Sequence, residues 1–468
     1  MKDIRVPTGV TNLDASLEGG IPKGNMVLIA GNAGTGKTLL SGEFIYTGAA
    51  ADEQCLYVSL AEGRVSFLDY MLKVGRDLED PSLAGSVNVM DLLTVKEQGT
   101  ETLIEGVLER VEELGVHRLV IDSLSALAGA FTEPIDARVT LHILGKLTKR
   151  SGCTTLLITE IPSGGSNIGV GVEEFLADGI ILLKRRDAGG SVIRSLEIIK
   201  MRGTEIGTPQ QLFTLHGGFK ALESFREKPR GGGPPFEPTP DNGDRYGTGI
   251  PQLDAATGGL RRGDTILIKL GEGVPPIAPA LLLAPLRANF IHRGRAVTMI
   301  PPGGTGSDRI ARFDEYYGVT LTQMNRLLRV CTPDATPDAP YTLRLDDPGN
   351  NHRKLTEEEA RLHATTGKPI LRIIYVDGFD DLFTGDQTRR ILYHKSRQTK
   401  NEGGLLVLLT QLGSTSEHHA SNLSNAQYAI RNEQGVFLLQ GLQPRTQLYA
   451  LEMENGASYP KPTLTPMQ

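Results

Sequence analysis

Cysteine is scarce in this chain of 468 residues: Cys55, Cys153 and Cys331 stand far apart, with no C-x-x-C spacing. Neither a zinc site nor a disulfide framework is expected, and a reducing setting suits such a sequence. The nine histidines show no ligand spacing, so no histidine metal site is expected. Long apolar runs are missing too. None approaches the roughly 18 residues that a membrane span requires, and the opening MKDIRVPTGV holds no apolar signal core. The expectation is a soluble, cytoplasmic chain. Nor is there an excess of positive charge: the formal net charge is −6, which speaks against a molecule built around a polyanion. What is present, 39% hydrophobic and 22% charged residues, is the composition of a folded protein. At this length it should divide into more than one domain.

The stretch Gly31 to Thr38, GNAGTGKT, fits the phosphate-binding pattern G-x-x-x-x-G-K-[ST] without a departure. Gly31, Gly34 and Gly36 let the backbone turn its N–H groups inward, and Lys37 brings a compact charge to the β- and γ-phosphates. The Thr38 hydroxyl is a ligand for Mg²⁺. Met26 to Ala30 reads as a buried strand entering the loop and Leu39 to Ile45 as a helix leaving it. Phosphates would then sit at a helix N-terminus, where the dipole favours anions. The candidate ATP/ADP contacts are Gly31, Asn32, Ala33, Gly34, Thr35, Gly36, Lys37, Thr38 and Leu39.

An internal repeat organises the rest. TGVTNLDASLEGGIPKG, from Thr8 to Gly24, returns as TGIPQLDAATGGLRRG, from Thr248 to Gly263. Between the copies, residues 226–243 are rich in Gly and Pro and read as a linker. Two tandem domains are expected, 1–225 and 244–468. In the first, short apolar strands alternate with helical stretches, which argues for an α/β fold with a central, mostly parallel sheet. Ligands bind such sheets at the carboxyl ends of the strands. There stand Glu62, a candidate general base, and Asp122, a candidate for the Mg²⁺ shell opposite Thr38.

Five segments, GNAGTGKTLL, IDSLSALAGA, LLITE, GVEEFLADGIILL and LEIIKMRGT, together resemble the KaiC family of RecA-like ATPases. The resemblance covers nearly all of the first half. It implies a RecA-like core, a ring of subunits (hexameric in double-domain members) and ATP held between neighbours. Lys200 and Arg202 match the residues that reach the neighbour's γ-phosphate in that family. Two departures stand out. The family's paired glutamates are here Ala61-Glu62, which leaves Glu62 as the base and implies slow turnover. The clock protein's autophosphorylated Ser-Thr pair falls on Val172-Glu173-Glu174-Phe175, so autokinase activity is not expected.

The second half looks like a degenerate copy, structural or regulatory in role. Counted from Gly24 and Gly263, Gly36-Lys37-Thr38 falls on Pro275-Pro276-Ile277. Asp377 reads as the counterpart of Asp122, and Glu452-Met453-Glu454 as that of Lys200-Met201-Arg202. Residues 331–370 read as an insertion, with Thr356 to Glu359 opening a short helix through a capping box. Three functions are compatible: a ring-forming ATPase that drives an unidentified protein partner, a nucleotide-sensing regulator with little turnover, and a DNA-recombination ATPase. The loop Ile161 to Val170 has no basic or aromatic residue, which disfavours nucleic acid.

Overall fold

The computed structural model describes residues 4–60, 62–83, 85–92, 100–128, 134–161, 177–228, 230–333, 339–379, 382–383 and 385–467. Contacts divide the chain into two units, Met1–Ser224 and Phe225–Pro466. No helix among the described residues is long and apolar enough to cross a membrane. Ala61, residues 162–170 and Val172-Glu173-Glu174-Phe175 lie outside the described residues.

The first unit is built on nine strands in the order Val87–Asp91, Cys55–Ser59, Arg118–Asp122, Thr154–Glu160, Met26–Gly31, Gly179–Asp187, Val192–Met201, Gln210–Thr214 and Lys220–Ala221. The first six run parallel and the last three antiparallel. Helices cover both faces, so the central strands are apolar throughout rather than alternating. Every residue of Met26–Gly31 and of Cys55–Ser59 is buried.

The second sheet repeats this plan. Its order is Leu328–Thr332, Val297–Ile300, Leu371–Tyr375, Leu405–Gln411, Thr265–Leu270, Ala426–Glu433, Val436–Gln443, Arg445–Met453 and Pro462–Pro466, with Thr342–Arg344 added at the outer edge. Place for place, this is the order of the first sheet. A register shift recurs as well, between Ile180 and Ile181 and again between Gln427 and Tyr428. So does the leading turn: Asp14 accepts from the Thr8 amide at 2.7 Å and Asp254 from the Thr248 amide at 2.9 Å. Gly9 (φ +89°) and Gly249 (φ +80°) approach the helices Lys37–Ala49 and Ile277–His292 so closely that a Cβ would lie 3.0 Å from Glu43 O and 2.5 Å from Pro285 O. Only glycine fits there without strain.

Strand register corrects three readings of the second half. With Met26–Gly31 set against Thr265–Leu270, the ladders place Ile121 level with Ile374, and hence Asp122 level with Tyr375. Asp377 lies two residues further on. Its carboxylate accepts from the Gln411 amide at 2.6 Å, the task that Ser125 Oγ performs for the Glu160 amide at 2.7 Å. Lys200 pairs with Ile180 and Gln443 with Gln427, so Lys200-Met201-Arg202 corresponds to Gln443-Pro444-Arg445. Glu452 sits one strand over, bonded to Thr465, and Glu454 is paired with Lys461. Finally, Thr356 opens no helix. Asn351–Thr366 runs through it, and its hydroxyl donates to the His352 carbonyl at 2.8 Å. That helix fills the place of Thr100–Leu114, so this part of 331–370 belongs to the common plan.

Residues 226–228 and 230–243 belong to the second unit. Phe236 is buried edge-on against Tyr317 and Tyr459, and Arg293 donates to the Thr239 carbonyl at 2.8 Å. Beneath the second sheet, Glu359 accepts from Arg372 and from Lys395, both at 2.9 Å, with all three side chains at most 3% exposed. Burial opposes its charge, yet the two cations hold the Glu359 carboxyl below the usual glutamate range. Glu359→Ala would take the carboxylate from buried Lys395 and leave Arg372 with Glu402, at a cost of about 3–5 kcal/mol. A lowered urea midpoint with an unchanged slope would register it.

Candidate functional site

The loop from Gly31 to Lys37 joins the strand Met26–Gly31 to the helix Lys37–Ala49. Its glycines answer to geometry. Gly36 adopts φ +101°, and a Cβ there would meet Leu215 Cδ2 at 2.7 Å. The loop is tied down by Thr35 Oγ1 donating to Asn32 O and by Asn32 Nδ2 donating to Ile161 O, each at 2.9 Å. Asn32, Ala33 and Gly34 face solvent, whereas Thr35 and Lys37 are buried and Thr38 and Leu39 half-buried. Lys37 Nζ donates to Gly31 O and to Asn32 O, both at 2.9 Å. Burial draws its pKa down, against the pull of Glu160 and Asp122.

Thr38 and Asp122 meet: Thr38 Oγ1 donates to Asp122 Oδ2 at 3.1 Å. The strand Arg118–Asp122 presents that carboxylate at its carboxyl end, beside the helix N-terminus. A hydroxyl and a carboxylate converging on one point form the hard oxygen set that Mg²⁺ takes alongside phosphate oxygens and water. Glu62 lies nearby on an exposed turn whose backbone is pinned to Ser59 Oγ. Partial burial and the Asp122 charge raise its carboxyl above the usual range, the direction that suits a general base.

Lys200 and Arg202 stand apart from this group. Gly179 pairs with both Val27 and Met201, so Met201 lies level with Val27, about 13 Å down the strand from Gly31. Arg202 is 62% exposed, and its guanidinium reaches Asp178 at 3.3 Å. The loop and the Lys200–Arg202 pair thus lie toward opposite ends of the strands of one sheet.

Three residues near the loop were not singled out by sequence. Tyr57 donates its hydroxyl to Asp122 Oδ2 at 2.6 Å. Arg185 and Arg194 face each other across two antiparallel strands. A Cβ on Gly34 would come within 3.7 Å of Arg185 Nη1, and Arg194 keeps its buried Nε and Nη1 without a hydrogen-bond partner among the described residues. No local pattern marks these residues, because strand pairing brings them together.

A glycine loop between a parallel strand and a helix, with a lysine, a threonine and a strand-end aspartate gathered beside it, defines a P-loop nucleotide-binding domain of the RecA type. Residues 6–218 match the family model described as the KaiC ATPase. A UPF0273 protein of Aeropyrum pernix is 33% identical over 215 residues, covering 43% of this chain and 86% of that protein. The circadian clock oscillator protein KaiC of Thermostichus vulcanus is 27% identical over 279 residues, which are 57% of this chain and 52% of the clock protein. A KaiC-like protein of Pyrococcus horikoshii, 31% identical, superposes with a TM-score of 0.42 over 47% of this chain and all of that one. The chain belongs to the KaiC-like family of RecA-superfamily ATPases.

Proposed function

We propose that the first unit binds ATP with Mg²⁺ and hydrolyses it slowly at the interface between copies of the chain in a hexameric ring. The second unit serves a structural or regulatory role. The meeting of Thr38 and Asp122 beside Lys37 carries this reading. Lys37 would exchange two loop carbonyls for phosphate oxygens. Thr38 and Asp122 would hold Mg²⁺, which neutralises charge on the β- and γ-phosphates. Glu62 would take a proton from the attacking water. Lys200 and Arg202, remote from their own loop, would act on a neighbour's nucleotide. In the second unit Pro276, Ile277 and Tyr375 stand where Lys37, Thr38 and Asp122 do, which supports a loss of hydrolysis there.

Turnover measured across size fractions, beside Glu62→Gln, tests the proposal. The expected result is hydrolysis that follows the oligomer and falls about 100-fold or more in Glu62→Gln, with ATP binding kept. Tight binding without turnover in every fraction would leave a nucleotide-gated regulator instead.

A further inference from the structure

The Asp122 carboxylate has a second partner besides Thr38. Tyr57, 1% exposed in the middle of the strand Cys55–Ser59, donates its hydroxyl to Oδ2 at 2.6 Å, the oxygen that also accepts from Thr38 Oγ1. The tyrosine ring cannot swing. It stacks on Phe67 with centroids 3.8 Å apart, and Phe67 belongs to the helix Arg64–Lys73, which begins just after Glu62. Carboxylate torsions are broad and two-fold, so a fixed donor on one oxygen decides which way the group faces.

The second unit supplies an internal control. Tyr57 is level with Val120 and Met299 with Ile373, so the same register that sets Asp122 against Tyr375 sets Tyr57 against Met299. Methionine fills this place in an otherwise matching sheet. The fold therefore does not require a hydroxyl there. It is missing from the copy that also lacks the lysine, the threonine and the aspartate.

We infer that the Tyr57 hydroxyl is a positioning group that holds the Asp122 carboxylate toward Thr38 for the nucleotide-bound Mg²⁺. This rests on the nucleotide site proposed above. Tyr57→Phe keeps the ring and its stacking, and Tyr57→Met copies the second unit. Binding of a fluorescent ATP analogue would be titrated in EDTA and across a range of Mg²⁺ for both variants and the unaltered protein. In EDTA the affinities should agree within about twofold. The Mg²⁺ concentration giving half of the metal-dependent tightening should rise roughly tenfold or more in both variants, as expected for one lost hydrogen bond to a charged group. An identical Mg²⁺ response in Tyr57→Phe would overturn the assignment. So would an equal loss of affinity in EDTA, which would make Tyr57 a residue of the fold. If the unaltered protein bound no nucleotide, the underlying site would fail, and this inference with it.

Discussion

Lys37→Ala should lose ATP binding by about 100-fold or more and leave no measurable turnover. The ammonium lies within hydrogen-bond reach of Gly31 O and Asn32 O at the mouth of the loop. Each charge-assisted hydrogen bond to phosphate is worth about 1.5–3 kcal/mol; two lost together give the expected factor. The fold should survive, because alanine suits the first turn of the helix Lys37–Ala49 and relieves the burial of a charge. Equilibrium dialysis with labelled ATP, beside a melting curve, separates lost binding from lost folding. Near-normal affinity would remove Lys37 from the phosphate site.

Arg202→Ala should bind ATP normally and yet turn it over on the order of 1,000-fold more slowly, the effect of losing an arginine that meets transferring phosphate. Distance supplies the argument. Arg202 and Gly31 lie toward opposite ends of the strands of the same sheet, so no side-chain rotation brings the guanidinium to its own loop. The decisive measurement mixes Arg202→Ala with Lys37→Ala after dissociation and reassembly. Neither protein hydrolyses ATP alone. A mixed ring contains interfaces where an intact loop meets an intact arginine, and turnover should return at those interfaces. If mixing restored nothing while mixed oligomers formed, Arg202 would have no part in a neighbour's site.

Sequence and structure agree where the determinants are local. The loop is a run of eight residues, and its flanking strand and helix announce themselves by apolar runs; Asp122 follows because it ends such a run. The alternation of strands and helices was enough for a mostly parallel sheet. Readings failed where they depended on matching a short pattern along the chain. Eight residues, 202–209, separate Met201 from Gln210 in the first unit, whereas Pro444 alone separates Gln443 from Arg445 in the second. A pattern match to Glu452-Met453-Glu454 passes over that difference and lands one strand too far on. Asp377 misled for a related reason: an acid near a strand end is common, and only the ladder shows which position is level with Asp122. Thr356 imitates a helix start because a threonine bonding back to the carbonyl four residues earlier has the same neighbours in sequence. Tyr57, Arg185 and Arg194 could not be read at all, since their partners come from other strands.

That short turn at Pro444 also bears on whether the second unit's change could be reversed. Single substitutions could in principle return a lysine, a threonine and an aspartate to positions 276, 277 and 375. None of them would lengthen a hairpin. Giving the second unit the first unit's arrangement would take an insertion in step with those replacements. The two halves differ in chain length as well as in side chains, and substitution alone removes only the second difference.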